Sequence, residues 1–141
     1  NCIYDENKIE DVNDSINLII TGPLYGNDKH NLFQCSSLFI SPSDFESFGV
    51  TITEAFAYNL PVIISKNTPW EFIEKRKCGW IINEKRTNLK KILLKAFILD
   101  SKVLKSMGKN SKKIIQNYDT EIITDKTIAL YKKLINKNDF N

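Results

Sequence analysis

The chain has 141 residues, 42% hydrophobic and 26% charged, and twenty lysine and arginine residues against seventeen aspartates and glutamates leave a formal net charge of +3. That length and apolar content suit one globular domain with a core and exclude a disordered chain. The charge is too small and too mixed to call for nucleic acid, and no run of about 18 apolar residues is present to span a bilayer.

Three widely spaced cysteines, Cys2, Cys35 and Cys78, suggest neither a disulfide framework nor a zinc site, and fit a reducing, cytoplasmic compartment. The opening residues, NCIYDENKIE, are acidic where a signal peptide is basic and then apolar. A chain that begins at Asn1 rather than Met is expected to be a piece of a longer one.

Taken in order, strands and helices alternate. Asn17–Thr21, NLIIT, is a short β-branched run closed by Gly22-Pro23, and reads as a buried strand ending at a turn. Residues 28–35 have room for two helical turns. Ser37–Ser41, SLFIS, is a second apolar run stopped by Pro42, Pro61–Ser65 a third, and Gly79–Asn83 a fourth, with a short helix expected over Trp70–Lys75 between the last two. Runs apolar at successive positions suit strands covered on both faces, as in parallel sheets with helical crossovers. The expected class is α/β, a Rossmann-like parallel sheet flanked by helices, with residues 1–141 forming one domain.

After Asn83 the period becomes helical. Leu89, Ile92, Leu93, Ala96 and Phe97 lie on one face, and Val103, Leu104, Met107, Ile114 and Ile115 on the next. A last helix is expected over residues 119–136, with Ile123, Thr127, Leu130, Tyr131 and Leu134 along one side.

The most informative stretch is SDFESFGVTITEAFAYNLPVII, residues 43–64. Ser43-x-x-Glu46 and Thr51-x-x-Glu54 each match a capping box, in which a hydroxyl and a carboxylate satisfy the free backbone donors of a helix start. The two boxes lie eight positions apart (51 against 43), so at most one glutamate can cap a given helix. The other reading starts from a helix over about residues 48–58. Its free N–H groups near Phe48, Gly49, Val50 and Thr51 would face the crevice at a strand's carboxyl end, an anion site where Gly49 lets a ligand approach the backbone. Glu46 and Glu54 would then accept hydrogen bonds from hydroxyls at two ends of an extended ligand with phosphates between them, the shape of a nucleotide sugar.

These residues resemble the signature of retaining glycosyltransferases of the GT-B fold, the large family-4 group: Pro-Ser after a strand, E-S-F-G, a second Glu after seven residues, then a turn into a Pro-Val strand. The flanks NLIITGPLYGNDKHNLFQCSSLFISPS and NTPWEFIEKRKCGWIIN resemble the family's neighbouring segments, so the likeness runs over about Asn17–Asn83. It implies the C-terminal, nucleotide-sugar-binding domain of such an enzyme, which transfers a sugar with retention to an acceptor hydroxyl in polysaccharide, lipopolysaccharide or glycolipid synthesis at the cell surface. By position, Glu46 is the catalytic match and contacts the donor sugar, and the amides of Ser47, Phe48, Gly49 and Val50 contact sugar and diphosphate. Glu54 takes the ribose hydroxyls, and Gly22, Pro23, Leu24 and Tyr25 lie along the nucleobase. No metal and no cofactor are implied, since SDFES is not the D-x-D metal motif of the other major transferase fold.

The implied partners are a nucleotide sugar, an acceptor glycan or lipid-linked sugar, and the N-terminal GT-B domain of a parent chain. The final helix would pack on that domain. The family's basic pair for the donor phosphates has no match here, and Asn59 stands where the family has Gly, at a position where Asn tolerates the left-handed conformation that ends a helix. His30 reads as a surface residue, and Trp70 and Trp80 as core or interface aromatics. Lys102, Lys105, Lys109 and Lys112 form a basic stripe on one helix, a solvated face in one reading and a contact for anionic lipid at the inner face of the membrane in the other. The rival functions are a GT-B epimerase or phosphorylase and a non-catalytic doubly wound binding module.

Overall fold

The computed structural model describes residues 9–13, 16–83 and 85–138, which fall into two compact units divided between Ser36 and Ser37. In the first unit, strand β1 (Ile9–Asn13) pairs antiparallel with β2 (Ile16–Ile19), and helix α1 (Gly26–Cys35) follows. The apolar run at Asn17–Thr21 had been expected in a parallel sheet, and its strand instead pairs antiparallel with β1. An apolar run says that a strand forms, not which edge it joins, and the IEDVN partner carries Glu10, Asp11 and Asn13, residue types that strands disfavour. Cys35 is disulfide-bonded. Wide spacing along the chain had suggested no such bond, but sequence separation sets no limit on distance in a folded chain.

The second unit is built on three parallel strands, β3 (Phe39–Ser41), β4 (Val62–Ser65) and β5 (Gly79–Ile82), in the order β3-β4-β5. Helix α2 (Val50–Ala57) crosses from β3 to β4, and a single 3-10 turn at Glu71–Ile73 stands where a short helix was expected. Helices α3 (Leu89–Phe97) and α4 (Ser101–Ile115) follow, then a 3-10 turn at Gln116–Tyr118 and α5 (Thr120–Asn138).

All four residues of β4 are buried, as a central strand covered on both faces requires. Ile63 points to one face, where it packs with Trp80 and Ile82 of β5 and with Ile92 and Ala96 of α3. Val62 and Ile64 alternate to the other face. Ile52, Ala55 and Phe56 of α2, together with Trp70 and Ile73, are also fully or almost fully buried. The two tryptophans are thus core residues.

Helix α2 ends in a Schellman motif. Asn59 takes the left-handed conformation, φ 59°, its N–H donates to Phe56 O at 3.1 Å, and Leu60 N–H donates to Ala55 O at 3.0 Å. Helix α4 runs against that turn so closely that a Cβ on Gly108 would lie 1.7 Å from Asn59 O. Asn110 Nδ2 donates to Lys77 O, and Ser111 Oγ lies 3.5 Å from Cys78 O, so α4 is also fastened to the approach to β5. Asp100 caps α4 by accepting from Lys102 N at 2.7 Å.

Candidate functional site

Because β3, β4 and β5 are parallel, the segments that leave their carboxyl ends emerge at one edge of the sheet. These are residues 42–49, 66–70 and, among those described, 83 and 85–88, and the structure ties them together. Glu46 N donates to Asn67 O at 3.3 Å, and Asn67 Nδ2 returns a bond to Asp44 O at 3.2 Å. The Trp70 indole N–H donates to Phe48 O at 2.6 Å, and Arg86 Nη2 meets Asp44 Oδ1 at 2.6 Å. Trp70 also holds the loop by ring contact, its centroid 5.3 Å from that of Phe48 and 5.3 Å from that of Phe56 in edge-on packing.

The first of these loops ends at Gly49, the residue before α2, whose φ of 74° and ψ of 65° lie in the left-handed region. A side chain there is disfavoured twice: by that backbone conformation, and because a Cβ would stand 2.7 Å from Ile52 Cδ1. Gly49 O accepts from Ile52 N at 2.9 Å and from Thr53 N at 3.1 Å, and no side chain caps the helix. The amides of Val50 and Thr51 therefore lie at a helix start with no intrahelical acceptor, beside the exposed side chains of Phe48 and Val50.

Neither capping box forms. Ser43 Oγ donates to Phe45 O at 3.1 Å, well before α2 begins, and Thr51 and Glu54 are the second and fifth residues of the helix rather than its cap and third. Glu46 is half-buried in the loop. Glu54 is half-buried in the second turn of α2, with its Oε2 atom buried. The structure thus gathers Glu46, Ser47, Phe48, Gly49, Val50 and Glu54 on one loop and the start of one helix. Gly22, Pro23, Leu24 and Tyr25 belong to the first unit, where Gly22 has φ 66° and Tyr25 is exposed.

Asp44, Asn67 and Arg86, which brace the site, were not legible beforehand. The Asp44–Arg86 pair spans 42 residues and the Asn67–Asp44 bond 23, and no local pattern announces contacts at that range. His30 is exposed, as are all four lysines of the α4 stripe. Burial pushes the thiol of Cys78, a free cysteine, above its ordinary value.

The family model for glycosyl transferases group 1 matches residues 5–114. The chain belongs to that family. As a glycosyl transferases group 1 chain it is 27% identical over 108 residues to the alpha-monoglucosyldiacylglycerol synthase of Acholeplasma laidlawii, an alignment covering 76% of this chain and 27% of that protein. Its fold is similar to that of the sucrose-phosphate synthase of Thermosynechococcus elongatus, with a TM-score of 0.67 at 23% identity over 76% of this chain and 27% of the other. The chain thus spans about a quarter of the length of these relatives, 27% in each case. The fold is that of part of a GT-B glycosyltransferase, and the family match takes in the whole loop from residue 42 to Glu54, while α5 lies beyond it. Among the described residues no helix is long and apolar enough to cross a membrane.

Proposed function

We propose that the chain is the donor-binding part of a retaining glycosyltransferase that moves a sugar from a nucleotide to an acceptor hydroxyl. The observation that carries this reading is the uncapped start of α2. At the carboxyl edge of the sheet, a left-handed Gly49 delivers amides with no intrahelical acceptor, flanked by two half-buried carboxylates. Membership of the glycosyl transferases group 1 family supports the same reaction class.

In this account the amides of Ser47 to Val50 hold the sugar and diphosphate, Glu46 accepts from the sugar hydroxyls, and Glu54 accepts from the ribose. As the bond from the anomeric carbon to the diphosphate breaks, negative charge grows on the leaving oxygen and positive charge on the sugar. Preorganised amides at a helix N-terminus stabilise the first of these without a metal ion.

The acceptor, a glycan or lipid-linked sugar of cell-surface synthesis, would be bound by an N-terminal domain of the parent protein, at the cytoplasmic side of the membrane. Helix α5 would pack on that domain, a role suited to its exposed Leu130, Tyr131 and Leu134. Without that domain no turnover is expected. Titration with UDP, GDP and ADP sugars, following backbone amide shifts, tests the proposal: saturable shifts at residues 46–54 are expected with one donor, and silence there with all three would overturn it.

A further inference from the structure

The second unit contains a groove that the proposed donor site does not use. It has a volume of about 550 Å³, within the range of small-molecule sites. Three short helical faces converge on it. Phe72 and Arg76 come from the 3-10 turn and the residues after it, Asn110, Lys113 and Asn117 from one side of α4 and the turn beyond, and Ile123 and Lys126 from the start of α5.

Its chemistry is one-sided. Three cations, Arg76, Lys113 and Lys126, line the groove with no carboxylate among the lining residues, and no described residue forms an ion pair with any of the three. Like charges gathered around one cavity raise its potential and draw a counter-ion. Three positive charges exceed what a single carboxylate neutralises, whereas a phosphate ester carries a charge of about −1.5 to −2 near neutral pH and three acceptor oxygens. Arginine and lysine are the side chains suited to it. Of the other lining residues Asn110 and Asn117 are polar, and Phe72, Ile114, Tyr118 and Ile123 give an apolar wall. Ile114 is buried, and Tyr118 is anchored against Trp70 with ring centroids 5.2 Å apart, so this wall is fixed on the α4 side.

We propose that this groove binds a phosphate ester with an apolar substituent, the phosphate held by Arg76, Lys113 and Lys126 and the substituent against Phe72, Tyr118 and Ile123. The ligand would bridge α4 and α5. Helix α5 has every described side chain exposed and few contacts with the rest of its unit, so occupancy is expected to slow amide exchange in its first turns. The basic stripe of Lys102, Lys105, Lys109 and Lys112 plays no part, since none of the four lines the groove.

The same head group is offered by a soluble alkyl phosphate and by an anionic phospholipid, and the experiment separates them. In one arm hexyl phosphate and inorganic phosphate are titrated into the chain while the amides of Phe72, Asn117 and Ile123 are followed. Saturable shifts are expected, tighter for hexyl phosphate, with Lys113→Gln and Lys126→Gln each weakening binding about tenfold, the loss of one charge-assisted hydrogen bond, and Lys105→Gln leaving it unchanged. In the other arm, phosphatidylcholine vesicles with and without phosphatidic acid are sedimented with the chain. Retention by the acidic vesicles that Lys113→Gln and Lys126→Gln abolish assigns the ligand to a lipid head group; hexyl phosphate binding without vesicle binding assigns it to a soluble ester. Absence of binding in both arms, or equal sensitivity to Lys105→Gln and Lys113→Gln, would overturn the proposal. The substituted lysines are exposed and make no ion pair with a described residue, so the variants are expected to fold.

Discussion

The loop at residues 42–49 and helix α5 both show large apolar side chains to solvent, Phe45 and Phe48 on one and Ile122, Leu130, Tyr131 and Ile135 on the other. They differ in what holds them. The loop is bound from outside itself by Asn67, Trp70 and Arg86, whereas the bonds of α5 from Thr127 Oγ1 to Ile123 O and from Glu121 N to Asp119 Oδ1 are local. Exposure alone is therefore no guide to function. Groups fixed before a ligand arrives lose little freedom on binding, which suits a small-molecule site; an apolar helix face without such bracing suits a partner that covers it.

Substitutions can break that contrast, beginning with the aromatic residue that joins loop to core. Trp70→Ala removes a side chain only 1% exposed, and is expected to cost about 3–5 kcal/mol in denaturant unfolding. Tyr131→Ala, an equally drastic truncation on α5, should stay within about 0.5 kcal/mol. Equal losses would mean that α5 is as well packed as the sheet.

A smaller effect is expected at the helix start. Gly49→Ala places a side chain in the left-handed region, at about 1–2 kcal/mol before its contact with Ile52 is counted, and should weaken nucleotide binding by moving the amides. A third comparison sets two helix caps against each other. Asp100→Ala removes the cap of α4, which packs on α2 and β5, and should lower global stability by about 1 kcal/mol. Asp119→Ala should instead fray α5, seen as lost helicity with an unchanged unfolding midpoint.

The smallest term depends on pH. The Cys78 thiol is held above its ordinary value of 9.0 by burial, so the folded chain keeps a proton that the unfolded chain releases first. Its contribution is complete below pH 9.0 and declines as pH rises past that value. Cys78→Ala should flatten stability measured across that interval, and an unaltered slope would assign it to other groups.

Much of this was legible in the residues. The continuous apolar runs of SLFIS, PVIIS and GWIIN announced three strands, the last two largely buried while Ile40 of the first is exposed, and the glycine-bearing stretch from Glu46 to Glu54 announced a turn into a helix at one strand's end. The antiparallel pairing of β2 was not legible, because its partner IEDVN lacks both strand composition and alternation. Nor was the bracing of the loop, since Asp44, Asn67 and Arg86 meet only after the sheet has brought three separate strand ends to one edge. The capping boxes show the opposite failure. Both patterns are present in the sequence, but Gly49, by taking the left-handed conformation, starts the helix where neither applies.

The central claim is that Glu46 and Glu54 serve different parts of one donor. It is tested most directly by titrating the chain, Glu46→Gln and Glu54→Gln with the nucleoside diphosphate and with its sugar conjugate. Glu54→Gln is expected to weaken both ligands alike, by about tenfold for a hydrogen bond to a charged acceptor, and Glu46→Gln to weaken only the conjugate. Wild-type affinity for both ligands in both variants would contradict the account.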